Sequence, residues 1–516
     1  MLRAWRVADI RQAEEIRLAE VPEGALMQRA AAGLAAVCAR ELRGRAGGVS
    51  GRRVVLLVGA GNNGGDALYA GQRLARRGAR VDAVLLATLG RVHQAGLAAL
   101  RAAGGRVVFG EDGPAVAGVL ASADLVVDGI VGLGGTPGLR EDAARAVAAI
   151  APSAVVVAVD LPSGVDPDTG ELPPADGDDR PRHVTADVTV TFGAYKPCVL
   201  LPPATSVCGR VELVDLGFGS LRWPGPDVQR FQPDDAARCW PQPSVRDHKF
   251  TRGVLAMVVG SVRFPGAAVL GVGGALRAGA GVVRHVGPPE VAAAVLAAHP
   301  ETVIGVEASD RIDAWVIGSG IPSAGLRQQY EAIRDVLLDD TPKVLDAGAL
   351  EFAGRPLVRH TVLTPHAGEL SRLLVRLGEP ASREVIEAAP LRHARRAAEL
   401  TGATVVLKGA TTLVVQPADP ASERPERVAA QSDATAWLAT AGAGDVLAGV
   451  IGALLAAGLD PFEAAGAGVL VHGRAARLAA GCRPDGSGGG PITAGDVASR
   501  LPAAVREVIA PERILR

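Results

Sequence analysis

The chain has 516 residues, of which 54 are basic and 55 acidic, for a formal net charge of −1. A single core stops growing near roughly 250–300 residues, so two domains are expected. Balanced charge without a Lys/Arg run argues against nucleic acid or an anionic membrane surface as partner, and no uncharged apolar stretch of about 20 residues is there to span a bilayer.

Hydrophobic residues make up 48% of the chain, with 65 Gly and only 3% aromatic residues. Such a core is built from Ala, Val and Leu on a loop-rich scaffold, which suits an α/β enzyme. Cys38, Cys198, Cys208, Cys239 and Cys482 are odd in number, scattered and without a CxxC pair. A disulfide framework and a zinc site are therefore not expected, and a reducing cytoplasm is. The opening MLRAWRVADIRQAEEIRLAE mixes charged and apolar residues in a helical rhythm, so no signal peptide is expected there.

From Val54 onward, short β-branched runs alternate with amphipathic segments: VVLLVG, a helix near Asp66 to Arg77, VDAVLLA, LVVDG and VVVAVD, ending at VTVTF. This alternation predicts a parallel sheet with helices on both faces. A stretch rich in Pro, Trp and Asp from Leu221 to Pro243 then separates two halves. A second alternation starts at GVLAMVVG and runs through AWVIG, KVLD, TVLTP and TVVLKG to a helical end. The segments PADPASERPER and CRPDGSGGGP read as exposed loops.

After the first strand, Gly59-Ala60-Gly61-Asn62-Asn63-Gly64-Gly65-Asp66 offers close backbone approach and a helix start, the makings of a phosphate or nucleotide loop. It contains GxGxxG, but the second strand ends in Ala87-Thr88-Leu89-Gly90, without the acid that would hold a ribose. An ordinary dinucleotide dehydrogenase is therefore disfavoured. Two further loops close strands: Asp128 to Gly135 and Asp160 to Asp166. An Asp after an apolar run is often only a turn former. Three such loops at the carboxyl ends of parallel strands are expected to converge on a ligand.

GNNGGD, the D-x-x-x-G loop, DLPSGVDPDTG, AD-x-TVTF and Lys196 together resemble the NAD(P)H-hydrate epimerase domain over roughly residues 1 to 220. The resemblance implies that Asn62, Asn63, Gly64, Gly65, Asp66, Gly132, Leu133, Gly134, Gly135, Thr136, Pro137, Gly138 and Asp160 contact the hydrated cofactor. It also implies that Asn63, Asp128 and Ser163 hold a potassium ion, for which hard oxygen donors are suited. Epimerisation at C6 needs a positioned acid or base, and Asp160 is the candidate. Ala67 and Gln28-Arg29-Ala30-Ala31 depart from the family's usual pattern.

In the second half, Leu438-Ala439-Thr440-Ala441-Gly442-Ala443-Gly444-Asp445 opens a long helix, exposing amides suited to a phosphoryl oxyanion, with Asp445 placed as a base. Thr364-Pro365-His366-Ala367-Gly368-Glu369 and Lys408-Gly409-Ala410-Thr411-Thr412 close two strands, and Lys408 offers a point charge to phosphate. With His248-Lys249, the segment Gly260 to Ala267, GAGVV, VIGSG and VLDAGAL, this set resembles the ADP/ATP-dependent NAD(P)H-hydrate dehydratases of the ribokinase-like superfamily, over about residues 233 to 510. The resemblance implies that Ala267, Gly320, His366 and Asp445 touch the hydrated nicotinamide. It also implies that Lys408, Gly409, Ala410, Thr411, Thr412 and Gly444 hold the adenine nucleotide, with ADP as co-substrate and magnesium on the phosphates. Asp346-Ala347-Gly348 and Gly318-Ser319-Gly320-Ile321-Pro322 depart from the family's pattern, and no role is carried to Gly348.

The expectation is an α/β protein of two three-layer αβα domains, a Rossmann-like epimerase domain over residues 1–220 and a ribokinase-like dehydratase domain over 233–516, with 221–232 as linker. Its substrates are NADHX, NADPHX and ADP, and a homo-oligomer is expected. Two other readings exist: a vitamin or sugar kinase beside a nucleotide-binding module, since fold alone permits that, and a catalytically dead first domain. Asp160, Asp128, Asn63 and Ser163 count against the second of these, because a scaffold needs none of them.

Overall fold

A computed structural model describes all residues except 175–179, 308, 323–326, 355–356, 358–359 and 511–516. The last of these gaps removes the expected end of the second domain from view. The chain forms two compact units, Arg3–Val228 and Gln229–Arg516, the second also including Met1–Leu2. Strand β1 (Leu2–Ala4) precedes the helices Val7–Leu18 and Ala25–Ala46.

The first unit is built on β2 (Arg53–Val58), β3 (Arg80–Leu85), β4 (Arg106–Phe109), β5 (Leu125–Gly129), β6 (Val155–Val159), β7 (Val188–Phe192) and β8 (Arg210–Val214). They pair in parallel in the order β4-β3-β2-β5-β6-β7-β8. Alternation along β2 sends Val54, Leu56 and Val58 to one face, packed with Leu34 and Leu68, and Val55 and Leu57 to the other, with Val116 and Leu120. Burial on both faces explains why these strands read as unbroken apolar runs. The strand order reverses between β2 and β5, which opens a crevice at their carboxyl ends.

The helix expected near Asp66 begins earlier, at Asn62, and ends at Ala75. Asn62 to Asp66 are thus its opening residues rather than a loop before it.

The second unit contains β9 (Val228–Arg230), β10 (Val254–Val258), β11 (Val282–Val286), β12 (Val303–Ile304), β13 (Ala314–Ile317), β14 (Lys343–Leu345), β15 (Thr361–Leu363), β16 (Thr404–Leu407), β17 (Thr412–Gln416) and β18 (Arg427–Gln431). The order runs β9-β18-β17-β16-β15-β14-β13-β10-β11-β12, parallel from β16 to β12 and antiparallel where β17 meets β16 and β18. Strand β9 lies inside the Pro-rich stretch between the halves and pairs with β18, Gln229 opposite Ala429.

Helices Pro265–Ala278 and Ala443–Ala456 pack closely in this unit's core. A Cβ on Gly449 would stand 2.1 Å from the Gly271 carbonyl oxygen, so glycine permits this approach. The helix carrying Asp445 is thereby set against the loop that follows β10. Among the described residues no helix is long and apolar enough to cross a membrane.

Candidate active sites

The crevice of the first unit is a cavity of about 1400 Å³. Of the expected contacts, Asn62, Asn63, Asp66, Gly132, Leu133, Gly134, Gly135, Thr136, Gly138 and Asp160 line it. Gly64, Gly65 and Pro137 belong to the same segments without lining it. Glycine is required where the loops touch: a Cβ on Gly59 would meet the Ile130 carbonyl oxygen at 1.8 Å, and one on Gly132 the Asn63 Oδ1 at 2.5 Å.

Asp160 directly follows β6 with φ 71°, a left-handed conformation unusual outside glycine. Its Oδ1 forms an ion pair with Lys196 and accepts hydrogen bonds from the Phe192 amide at 3.2 Å and Thr191 Oγ1 at 3.3 Å. Lys196 is fully buried and also donates to the Phe192 carbonyl at 2.9 Å and Thr191 Oγ1 at 3.1 Å. Backbone strain of this kind is retained where surrounding contacts fix it, commonly at functional sites.

Asp128 accepts the Ser163 hydroxyl at 2.6 Å, the Ser163 amide at 2.8 Å and the Ile130 amide at 3.3 Å. Burial pushes its carboxyl up to about 6, against these hydrogen bonds. Asn63 Nδ2 donates to the Val159 carbonyl at 2.7 Å, which fixes the amide between β5 and β6.

In the second unit the loops after β13, β14, β15 and β16 meet the start of helix Ala443–Ala456. Asp346, at the end of β14, is buried and accepts from Thr364 Oγ1 at 2.7 Å, Ser319 Oγ at 2.8 Å and Lys408 Nζ at 3.0 Å. Burial alone would raise its pKa, but Lys408 and the two hydroxyls hold it below the ordinary carboxyl value. Lys408 also lies 3.7 Å from Glu369 Oε2, and the two carboxylates keep its ammonium charged in spite of burial.

Asp445 occupies the first turn of its helix. Burial, and then the Asp346 carboxylate, push it up to about 7, while Lys408 and a hydrogen bond with Ser319 act in the opposite direction. A Cβ on Gly444 would be 3.3 Å from Lys408 Nζ, and one on Gly320 would be 2.5 Å from Ala267 Cβ. Ala267 and Gly320 are thus neighbours, and so are Lys408 and Gly444. Gly409, Ala410 and Thr411 form the turn from β16 to Thr412, the first residue of β17.

His366 is in a position the sequence does not reveal. It caps helix Ala367–Arg376, its Nδ1 accepting the Gly368 and Glu369 amides at 3.0 and 3.2 Å, while the His366 amide donates to Glu369 Oε2 at 2.9 Å. Burial, with Lys408 nearby, lowers its pKa.

Asp346, Ser319 and the Asp160 ion pair with Lys196 are site features to which the sequence alone assigns no role, and Thr364 enters there only as part of its motif. The signal for Asp346 was present, since KVLD ends in an Asp after an apolar run just as Asp128 and Asp160 do. Among the described residues no group of three His, Cys, Asp or Glu could hold a metal ion.

Residues 255–483 match the family described as NAD(P)H-hydrate dehydratase, and residues 23–198 match that described as YjeF-related protein N-terminus. The chain is 44% identical to the bifunctional NAD(P)H-hydrate repair enzyme Nnr of Mycobacterium leprae (strain TN), over 98% of this chain and 99% of that protein. It is 34% identical to the Escherichia coli (strain K12) protein of the same name, over 82% and 80% of the two chains. The NAD(P)H-hydrate epimerase of Clavibacter michiganensis subsp. michiganensis (strain NCPPB 382) is 45% identical over 41% of this chain and 92% of its own length. A solved structure of ADP/ATP-dependent NAD(P)H-hydrate dehydratase from Bacillus subtilis, co-crystallised with ATP/Mg2+, is similar to 55% of this chain and 99% of its own, at 26% identity and a TM-score of 0.48. Similarity of this strength over nearly the whole length shows that the chain belongs to the bifunctional NAD(P)H-hydrate repair enzymes.

Proposed function

We infer that the chain repairs hydrated NADH and NADPH in two steps. The first unit interconverts the R and S epimers, and the second dehydrates the S epimer with ADP as phosphoryl donor. The observation that carries this is a base beside a phosphate clamp: Asp445, raised to about 7, opens a helix at Gly444, next to Lys408.

In this reading Ala267, Gly320, His366 and Asp445 hold the hydrated ring, and Lys408, Gly409, Ala410, Thr411, Thr412 and Gly444 hold the nucleotide. Asp445 takes the proton of the C6 hydroxyl as its oxygen attacks the terminal phosphorus of ADP, and AMP leaves. Amides at the helix start stabilise the transferring phosphoryl group. Phosphate then departs from C6 with the bonding electrons, C5 loses a proton, and the dihydropyridine is restored.

Three carboxyls, Asp346, Glu369 and Asp445, lie around the single Lys408 ammonium. That balance favours added positive charge on the phosphates, which magnesium would supply. In the first unit, the oxygens of Asn63, Asp128 and Ser163 fit a potassium ion: Asp128 is buried with hydrogen-bond donors as its described partners. Potassium would contribute a fixed positive charge there.

Asp160 is the basic group of epimerisation, and the segments Asn62–Asp66 and Gly132–Gly138 seat the substrate in the cavity. Among the described residues the five cysteines form no disulfide and three of them are buried, which supports a reducing compartment such as the cytoplasm. A vitamin or sugar kinase fits the second unit alone and leaves the first without a task. The test is a pair of variants: Asp445→Asn should stop dehydration while epimerisation persists, and Asp160→Asn should do the reverse. Loss of both activities in either variant would overturn this division.

A further inference from the structure

The cavity of the first unit contains, besides Asp160, a buried carboxyl to which the reading above gives no chemical step. Asp66, near the start of helix Asn62–Ala75, lines the cavity and is only 5% exposed. Its Oδ1 is buried and has no hydrogen-bond partner among the described residues. A buried carboxylate oxygen with no donor is unfavourable, whereas the neutral acid tolerates the same place.

The groups facing Asp66 act in one direction. Burial, then Asp160, then Glu14 push its pKa well above the ordinary carboxyl value. Glu14 lines the same cavity from helix Val7–Leu18 and is itself raised, first by burial. The positive charges nearby have other partners: Lys196 pairs with Asp160, and Arg11 donates to the Leu133 carbonyl at 2.9 Å. His93 lines the cavity before helix Gln94–Ala102, with its Nδ1 accepting the Gly96 amide at 3.0 Å. Asp160 is in the opposite environment, ion-paired and hydrogen-bonded. Among its carboxyls the cavity thus holds one without a described hydrogen-bond donor, Asp66, and one paired with a lysine, Asp160, and carboxyls in such unlike surroundings divide the acid and base roles between them.

We propose that Asp66 is the general acid of epimerisation, paired with Asp160 as the base. This rests on the first unit being the epimerase. The C6–O bond breaks with its electron pair on oxygen, which takes the Asp66 proton and leaves as water. The ring nitrogen's lone pair forms the C6=N1 bond. Water then adds to the other face of C6, the C=N electrons return to nitrogen, and Asp160 accepts the proton that the incoming water loses. One proton returns from Asp160 to Asp66 through solvent, and nothing is oxidised or reduced.

The experiment follows interconversion of a purified single epimer of hydrated NADH by the full-length chain without nucleotide, in 18O-labelled water. For Asp66→Asn, which keeps the shape and lacks the proton, kcat should fall about 100-fold or more with KM within threefold, and the far-UV spectrum should be unchanged. Asp66→Glu should recover at least a tenth of the wild-type rate. Wild-type activity should decline as pH rises through a value well above the ordinary carboxyl range, because the acid must carry its proton. That limb should vanish in the residual activity of Asp66→Asn, and each wild-type epimerisation should place one solvent oxygen at C6. A change in KM alone, a wild-type profile without the basic limb, or retention of the original oxygen would overturn the proposal, and the last two readings need no variant to fold. Interconversion retained in Asp66→Asn overturns the acid assignment alone, whereas a wild-type chain that does not interconvert the epimers overturns the epimerase reading with it.

Discussion

Lys408 Nζ donates to Asp346 Oδ1 at 3.0 Å and lies 3.7 Å from Glu369 Oε2, so one ammonium serves a carboxylate that follows β14 and another in the first turn of helix Ala367–Arg376. Asp346 is buried and depends on this charge. Lys408→Met should lower the stability of the second unit by about 1–3 kcal/mol, read by denaturant unfolding, because a buried carboxylate loses a partner. Nucleotide-dependent dehydration should fall by about 100-fold or more, because the phosphate clamp is lost as well.

The raised carboxyl of Asp445 sets a pH dependence with a definite sign. As a base it must be ionised, so kcat/KM for dehydration should rise about tenfold per pH unit below about 7 and level off above it. In Lys408→Met the limb should move to higher pH, since Lys408 opposes the shift. The stability linkage runs the other way. Asp445 prefers its proton in the folded state, so its contribution is complete below the ordinary carboxyl value of 3.8 and is lost as pH rises through about 7.

Asp160 combines strained backbone with a buried ion pair, and two substitutions separate these. Asp160→Asn should cut epimerisation by about 10²–10⁴-fold; Asn accepts the left-handed φ, but the buried Lys196 ammonium loses its counter-charge, at a cost of about 3–5 kcal/mol. Asp160→Ala should lose the same activity and a further 1–2 kcal/mol or so of stability. Lys196→Met leaves the Asp160 carboxylate buried without its counter-charge, so it should destabilise the first unit about as much as Asp160→Asn and less than Asp160→Ala. Denaturant melts of the three variants give this order directly.

Gly132→Ala places a methyl 2.5 Å from Asn63 Oδ1. Overpacking of this kind costs about 1–3 kcal/mol, and here it strikes the amide that bridges to Val159. Epimerisation and its response to potassium should both weaken, while Gly44→Ala, in open space on helix Ala25–Ala46, should change neither.

His366 serves as a helix cap whether or not it also meets substrate. His366→Ala should cost about 1 kcal/mol through the lost cap. His366→Asn restores a capping side chain, so its stability should return while KM for the hydrated nucleotide stays raised. A normal KM in His366→Asn would reduce His366 to the cap alone.

Much of this architecture can be read from the chain because its strands are buried on both faces. Runs such as VVLLV and VVVAV have no polar interruption, and the Gly and Asp residues that follow mark where the sheet's carboxyl edge begins. Contacts made across long sequence separations are different. Asp346 meets Lys408 62 residues away, and Asp160 meets Lys196 36 residues away. Nothing in the local pattern of either lysine announces a buried partner. The cap at His366 is hidden for a related reason, since a histidine rarely does what Ser or Asp usually does at a helix start. The orphan Oδ1 of Asp66 is a matter of missing neighbours, which no periodicity encodes. The start of its helix at Asn62 is hidden because Gly64 and Gly65 lower helical propensity, which the packing of that helix on β2 and β5 outweighs.

The most direct test of two coupled activities in one chain uses an equal mixture of both epimers of hydrated NADH with magnesium, potassium and ADP, followed by the return of reduced-nicotinamide absorbance. Recovery of the whole mixture is predicted, because the first unit converts the epimer that the second cannot use. Recovery that stops at half would contradict the activity assigned to the first unit, and no recovery at all would contradict the activity assigned to the second.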